Sequence, residues 1–138
     1  MESAIKQQEI TINVPYVVTK QRVSDLLCSA FEGGSNYWYE ITECIAPPEL
    51  EFRVLLRRRR RDKHLDYPLN EGGALMIGDR KDPEREPVRL DLETIKKGLG
   101  LFFVETPRHL ADFMSESDDA STGDVFLQLC IFGSVVYG

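Results

Sequence analysis

Val23, Leu26, Leu27, Ala30 and Phe31 fall at i, i+3, i+4, i+7 and i+8, the spacing that lines one face of an α-helix. This stretch predicts a helix over 20–32. Thr19 is placed to cap its first turn, and Gly33 to end it in a left-handed C′ position. The segments before and after follow a different period. Ile10, Ile12 and Val14 alternate with Thr11 and Asn13, which predicts a half-buried strand within 9–18 that is at an edge or ends at Pro15. Gly33-Gly34-Ser35-Asn36 reads as a turn. It leads into a strand over 37–42, with Tyr37, Tyr39 and Ile41 on one side and Trp38, Glu40 and Thr42 on the other. Pro47-Pro48 ends that strand, and Phe52, Val54 and Leu56 begin another.

Further along, residues 67–73 read as loop and Ala74 to Ile77 as a short strand. A charged turn over 79–87 follows, and Val88 to Leu90 form its hairpin partner. The last third is helical. Asp91 caps a helix with the apolar face Leu92, Ile95, Leu99, Phe102 and Phe103. Gly98 and Gly100 within it each cost about 1 kcal/mol against alanine and therefore suggest close backbone approach or a kink. Thr106-Pro107 start a short helix with Leu110, Phe113 and Met114 inward. Residues 115–124 read as an acidic loop. Val125 to Phe132 form a final helix stopped by Gly133, and 134–138 are a short apolar tail. Strands with one helix first and helices last predict an α+β fold over a single domain, 1–138. A mostly antiparallel sheet would carry one helix from the N-terminal half and a C-terminal helical cluster on one face.

Composition narrows the functional classes. Hydrophobic residues make up 42% and charged residues 29% of 138, an ordinary globular balance without the ~20-residue apolar run of a membrane span. The first residues lack a basic stretch followed by an apolar core, so no secretory signal is expected and the cytoplasm is the expected compartment. Cys28, Cys44 and Cys130 are odd in number and widely spaced, which favours reduced, mostly buried thiols over a disulfide framework or zinc ribbon.

Charge is distributed unevenly. Residues 57–63 hold five arginines and a lysine against one aspartate, a net +5, which leaves −11 on the other 131 residues of a chain whose total is −6. Arg57, Arg58, Arg59, Arg60 and Arg61 are therefore candidates for binding phosphate, nucleic acid or an acidic protein, against the alternative of a solvated turn. The acidic body opposes long-range attraction of nucleic acid, which makes that partner the weaker expectation. Asn36, Tyr37, Trp38 and Tyr39 are the second candidate set, offering a polar edge and stacking surfaces for a base; the alternative is a helix cap followed by a core strand. Strand alternation would set Trp38 opposite Tyr37 and Tyr39. Tyr137 could sit at an oligomer contact or pack its tail onto the sheet. His64-Leu65-Asp66 lacks a completing metal cluster, residues 115–119 lack calcium-loop spacing, and no nucleophile elbow or phosphate loop is present. No cofactor or metal is expected, and binding is favoured over catalysis.

Glu32-Gly33-Gly34-Ser35-Asn36-Tyr37-Trp38 and the terminal stretch from Asp124 through Phe132-Gly133-Ser134-Val135-Val136-Tyr137-Gly138 resemble a family of small uncharacterised phage and prophage proteins. The resemblance extends to the leading strand, the helix at 20–32 and the helix from Leu92 to Phe103; the arginine run lies outside it. It implies a phage accessory protein. By analogy with that class, it would counteract host defence by binding a defence protein such as a CRISPR–Cas effector. The alternatives are a sponge for a nucleotide immune signal and a structural or packaging protein that touches nucleic acid. Self-association is compatible with all three.

Overall fold

Helix α1, Lys20–Ser29, forms where the apolar period predicts it, and the Thr19 hydroxyl accepts a hydrogen bond from the Arg22 amide at 3.2 Å. The computed structural model describes residues 8–48 and 60–138. α1 does not stop at a left-handed Gly33. It widens into a π turn, Ala30–Gly34, and packing explains the second of its two glycines: a Cβ on Gly34 would lie 1.9 Å from the Ala120 carbonyl oxygen, while one on Gly33 would make an ordinary 3.8 Å contact with Ala120 Cβ. Strand β1, Tyr39–Ile45, follows. The expected strand at Phe52–Leu56 and Arg57 to Arg59 lie outside the described residues, and 3₁₀ turns run over Arg60–Leu69. These turns replace the loop expected from residue 67 and bury Leu65 and Leu69, four residues apart. Strands β2, Ala74–Asp79, and β3, Val88–Leu90, complete an antiparallel sheet in the order β1-β2-β3. Asp91 caps α2, Leu92–Glu105, by accepting from the Thr94 amide at 3.0 Å. Pro107 opens α3, Pro107–Met114.

The final helix, α4, runs over Ala120–Phe132 and corrects the sequence reading. Residues 120–124 are helix, not loop. Asp119 is the cap: its carboxylate accepts from the Thr122 amide at 3.0 Å, which holds its pKa below the usual range, while the Thr122 hydroxyl accepts from the Asp119 amide at 3.3 Å. Gly133 ends α4 with φ 74°, the left-handed geometry that glycine adopts without strain. α4 is apolar nearly all round because it is central, packing against α1, the π turn, α2, α3 and β3. The chain is thus α+β, with the C-terminal helical cluster packed on a three-stranded antiparallel sheet. Among the described residues no helix is long and apolar enough to cross a membrane.

Two glycines let the helices approach α4 at backbone distance. A Cβ on Gly98 would fall 2.2 Å from Cys130 Sγ, and one on Gly123 would fall 2.7 Å from the Leu26 carbonyl oxygen. Gly100 differs from the expectation of close approach, with nothing within 4 Å of its Cβ position. Other departures lie on the surface. Ile10, Ile12 and Val14 do not enter a sheet; residues 8–19 have no regular structure, and these side chains are 92%, 73% and 74% exposed. Met114 is half exposed instead of inward, and Cys44 is exposed, Cys28 intermediate and Cys130 buried, all as free thiols. Gly123→Ala should cost about 3 kcal/mol by forcing α1 from α4, whereas Gly100→Ala should gain up to about 1 kcal/mol from helix propensity alone. Chemical denaturation of the two variants measures both signs.

Candidate functional site

Asp124 lies one turn inside α4, almost wholly buried, and its carboxylate gathers donors from two distant stretches of chain. Ser35 Oγ donates to Oδ1 at 2.7 Å, Trp38 Nε1 to Oδ1 at 2.8 Å, Tyr37 Oη to Oδ2 at 2.7 Å and Gln128 Nε2 to Oδ2 at 3.1 Å. All four donors are neutral. Together they supply the hydrogen bonds that a buried anion requires in place of water. Residues 35–38 can converge in this way because they form a turn and not a strand, so alternation does not apply and Tyr37 and Trp38 reach the same carboxylate. Tyr39, the first residue of β1, points elsewhere and donates to the Phe31 carbonyl at 2.6 Å.

Gln128, one helical turn beyond Asp124, holds the C-terminal tail. Its Oε1 accepts from the Val136 and Tyr137 amides at 2.8 Å each, and its Nε2 donates to the Tyr137 carbonyl at 3.1 Å. The Tyr137 hydroxyl then donates to Asp79 Oδ2 at 2.6 Å, at the end of β2. Asp79 also accepts from the Lys81 amide at 2.9 Å and pairs with Arg85 Nε at 3.3 Å. Tyr137 therefore packs its tail down, which brings the tail to the same place as the turn at 35–38.

Over this polar frame lies a small mixed surface. The Lys81 ammonium sits 5.1 Å from the Tyr37 ring centre and 5.3 Å from that of Tyr137, and the Arg85 guanidinium 4.6 Å from that of Phe132. These are cation–π distances. Arg80 donates through its guanidinium to the Asn36 carbonyl, and its amide donates to the Trp38 carbonyl at 2.7 Å. Beside them a shallow groove of about 430 Å³ is lined by Glu40, Thr42, Asp79, Arg80 and Arg85 among others.

The sequence-derived candidates separate on this geometry. Asn36 and Tyr37 are exposed at the rim. Trp38 has no exposed surface, so it is corrected from a stacking surface to a core residue; its ring rests on Phe132 with centres 5.0 Å apart. Tyr39 is half-buried. Arg57, Arg58 and Arg59 fall outside the described residues, and Arg60 and Arg61 lie in the 3₁₀ turns, where only the backbone is described. Asp66 is engaged by the Ser24 hydroxyl at 2.8 Å. Among the described residues no three His, Cys, Asp or Glu side chains come together as a metal site. Asp124, Gln128, Asp79, Lys81 and Arg85 were missed. The signal available for two of them was a pair of polar residues four apart around an otherwise apolar run.

Burial pushes the Tyr37 hydroxyl up to about 12, reinforced by its hydrogen bond to Asp124 and that carboxylate's charge. The bond to Asp79 likewise raises Tyr137. Searches against family models, curated proteins and solved structures find no match.

Two outcomes are expected. Asp124→Asn replaces one acceptor oxygen with an N–H that faces existing donors and should cost about 2–4 kcal/mol. Trp38, the only tryptophan, should report the loss as altered emission. A raised tyrosine pKa stabilises the fold fully below the unfolded value near 10, and this contribution fades as pH rises toward 12. Thermal melts should therefore fall across pH 10–12, and less steeply in Tyr37→Phe.

Proposed function

We propose that this chain is a phage-type accessory protein that binds a protein of a host defence system stoichiometrically, inside the infected cell and without catalysis. The observation that carries this reading is Tyr37, 41% exposed yet pinned at its hydroxyl by the buried Asp124. Exposed tyrosines and arginines are frequent anchors of protein interfaces, and an anchor already fixed in place loses little conformational entropy on binding. Tyr37 has the cationic groups Arg80, Lys81 and Arg85 nearby, with Asp82 3.8 Å from Arg85, a mixed-charge surround suited to orienting a protein partner.

A nucleotide ligand is the second reading, favoured by those same three cations, of which Lys81 lies over the Tyr37 ring. The arrangement serves it less well. Trp38 offers no face, the Lys81 ammonium already lies over the Tyr37 ring, and Arg85 is paired with Asp79.

Expressed in bacteria with an active CRISPR–Cas or other interference system, the chain should raise the plating of a targeted phage and co-purify with one defence component at fixed stoichiometry. Tyr37→Ala should weaken that complex by about 2 kcal/mol, roughly thirtyfold, and Tyr37→Phe, which loses the same bond to Asp124 but keeps the ring, should weaken it less. Unaltered plating against every system tested overturns the reading.

A further inference from the structure

Residues 8–14 have the side-chain pattern of a strand and no sheet. Ile10, Ile12 and Val14 fall on one side and Thr11 and Asn13 on the other, all outside regular structure, with the three apolar side chains largely in solvent. Downstream, the segment is anchored. The Tyr16 ring lies 4.9 Å from that of Phe103 on α2, and Tyr16, Val17 and Val18 border a groove with Phe113 and Met114. Its root is thus held on the helical side, and the alternating stretch projects from it. Isolated exposed apolar residues are ordinary on protein surfaces. Three at period two on an unpaired backbone present both the ladder groups and the side-chain row that a sheet edge accepts.

The same chain carries a suitable edge. Among the described residues β1 pairs only with β2. Its register sets Tyr39, Ile41 and Cys44 opposite Asp79, Ile77 and Leu75, on the side of the sheet that faces the core, and the row ends at an exposed Cys44. Glu40 and Glu43 lie on the other face, opposite Gly78 and Met76. A strand added to this edge would extend the apolar row with Ile10, Ile12 and Val14. It would place the neutral Thr11 and Asn13 beside the two glutamates, avoiding like-charge contact. Pro15, which has no N–H, would end the ladder where the chain turns toward Tyr16.

We propose that residues 10–14 add as a fourth strand to the outer edge of β1 in a second copy of this chain, the exchange being reciprocal in a two-fold dimer. Each copy supplies one arm and one edge, so a single closed interface satisfies both.

Sedimentation across the micromolar range tests it. The unmodified chain is expected to run as a dimer. I12D is expected to weaken the dimer at least about tenfold, since a carboxylate replaces a buried isoleucine, while its melting temperature at low protein concentration, where both chains are monomeric, stays unchanged because the side chain is exposed in the single chain. Of cysteines placed at the two ends of the strand, I10C and V14C, one and not the other should form an interchain disulfide with Cys44 under mild oxidation, and C44S should abolish it. A chain that is monomeric throughout, a dimer indifferent to I12D, or a cross-link that survives C44S each overturns the proposal. A monomer whose arm pairs with the sheet of a different protein does so as well.

Discussion

A buried carboxylate without a neighbouring cation is tolerable only when hydrogen bonds replace its lost water, and the packing around Asp124 follows from that requirement. Removing one donor would leave part of the charge unsolvated at a cost comparable to a sizeable share of a small domain's net stability. Ser35, Tyr37 and Trp38 must therefore occupy a single turn, and that turn must lie against the start of α4. The close approach has its own steric condition. Gly34 sits where any side chain would enter the Ala120 carbonyl, so the glycine and the carboxylate are two halves of one contact. Gln128 extends the same frame to the tail by reading its backbone as a neighbouring strand would.

Central placement of α4 imposes a second constraint. A helix covered on nearly every side must be apolar on nearly every side, yet it must also meet several neighbours without voids. Gly123 on α4 and Gly98 on α2 remove the bulk that would hold the helices apart, and Phe102 fills the junction, with ring centres 5.8 Å from Phe113 and 5.9 Å from Phe126. The cost of glycine in a helix is offset by the contacts it permits. Gly100 has no such contact and retains the cost without the return.

Much of this architecture was legible in the sequence. Periodicity located α1, β2, β3 and α2, and capping chemistry located Thr19, Asp91 and Gly133, because these depend on residues close in sequence. Asp124 was not legible in the same way. An aspartate following Ser, Thr and Gly reads as loop, and only the distant donors at 35–38 make it a buried helical residue. Its role is a property of pairing across 86 to 89 positions, which local pattern cannot contain. The same reason explains Trp38. Alternation assumes a strand, whereas residues 35–38 form a turn closed by its own backbone bonds and held against α4 by Asp124. Ile10 to Val14 show the opposite failure: period two states which side chains share a face, and says nothing about whether the fold supplies a surface for it.

That difference separates the two surfaces on physical grounds. Tyr37 is fixed before any partner arrives, since its hydroxyl bond, the Lys81 ammonium and the packed tail define its position. Binding there would cost little ordering, and its rate would depend on orientation and charge. Residues 10–14 have no backbone ladder, and pairing them would fix their dihedrals at roughly 1–2 kcal/mol per residue. Their burial must exceed that penalty, and three β-branched side chains at about 1.5–3 kcal/mol each are of the right size to do so only narrowly. An interface built on them would therefore be concentration-dependent and reversible. The Tyr37 surface is rigid at either state of that equilibrium, so the number of rigid sites carried by one assembly would be set by the less ordered end of the same chain.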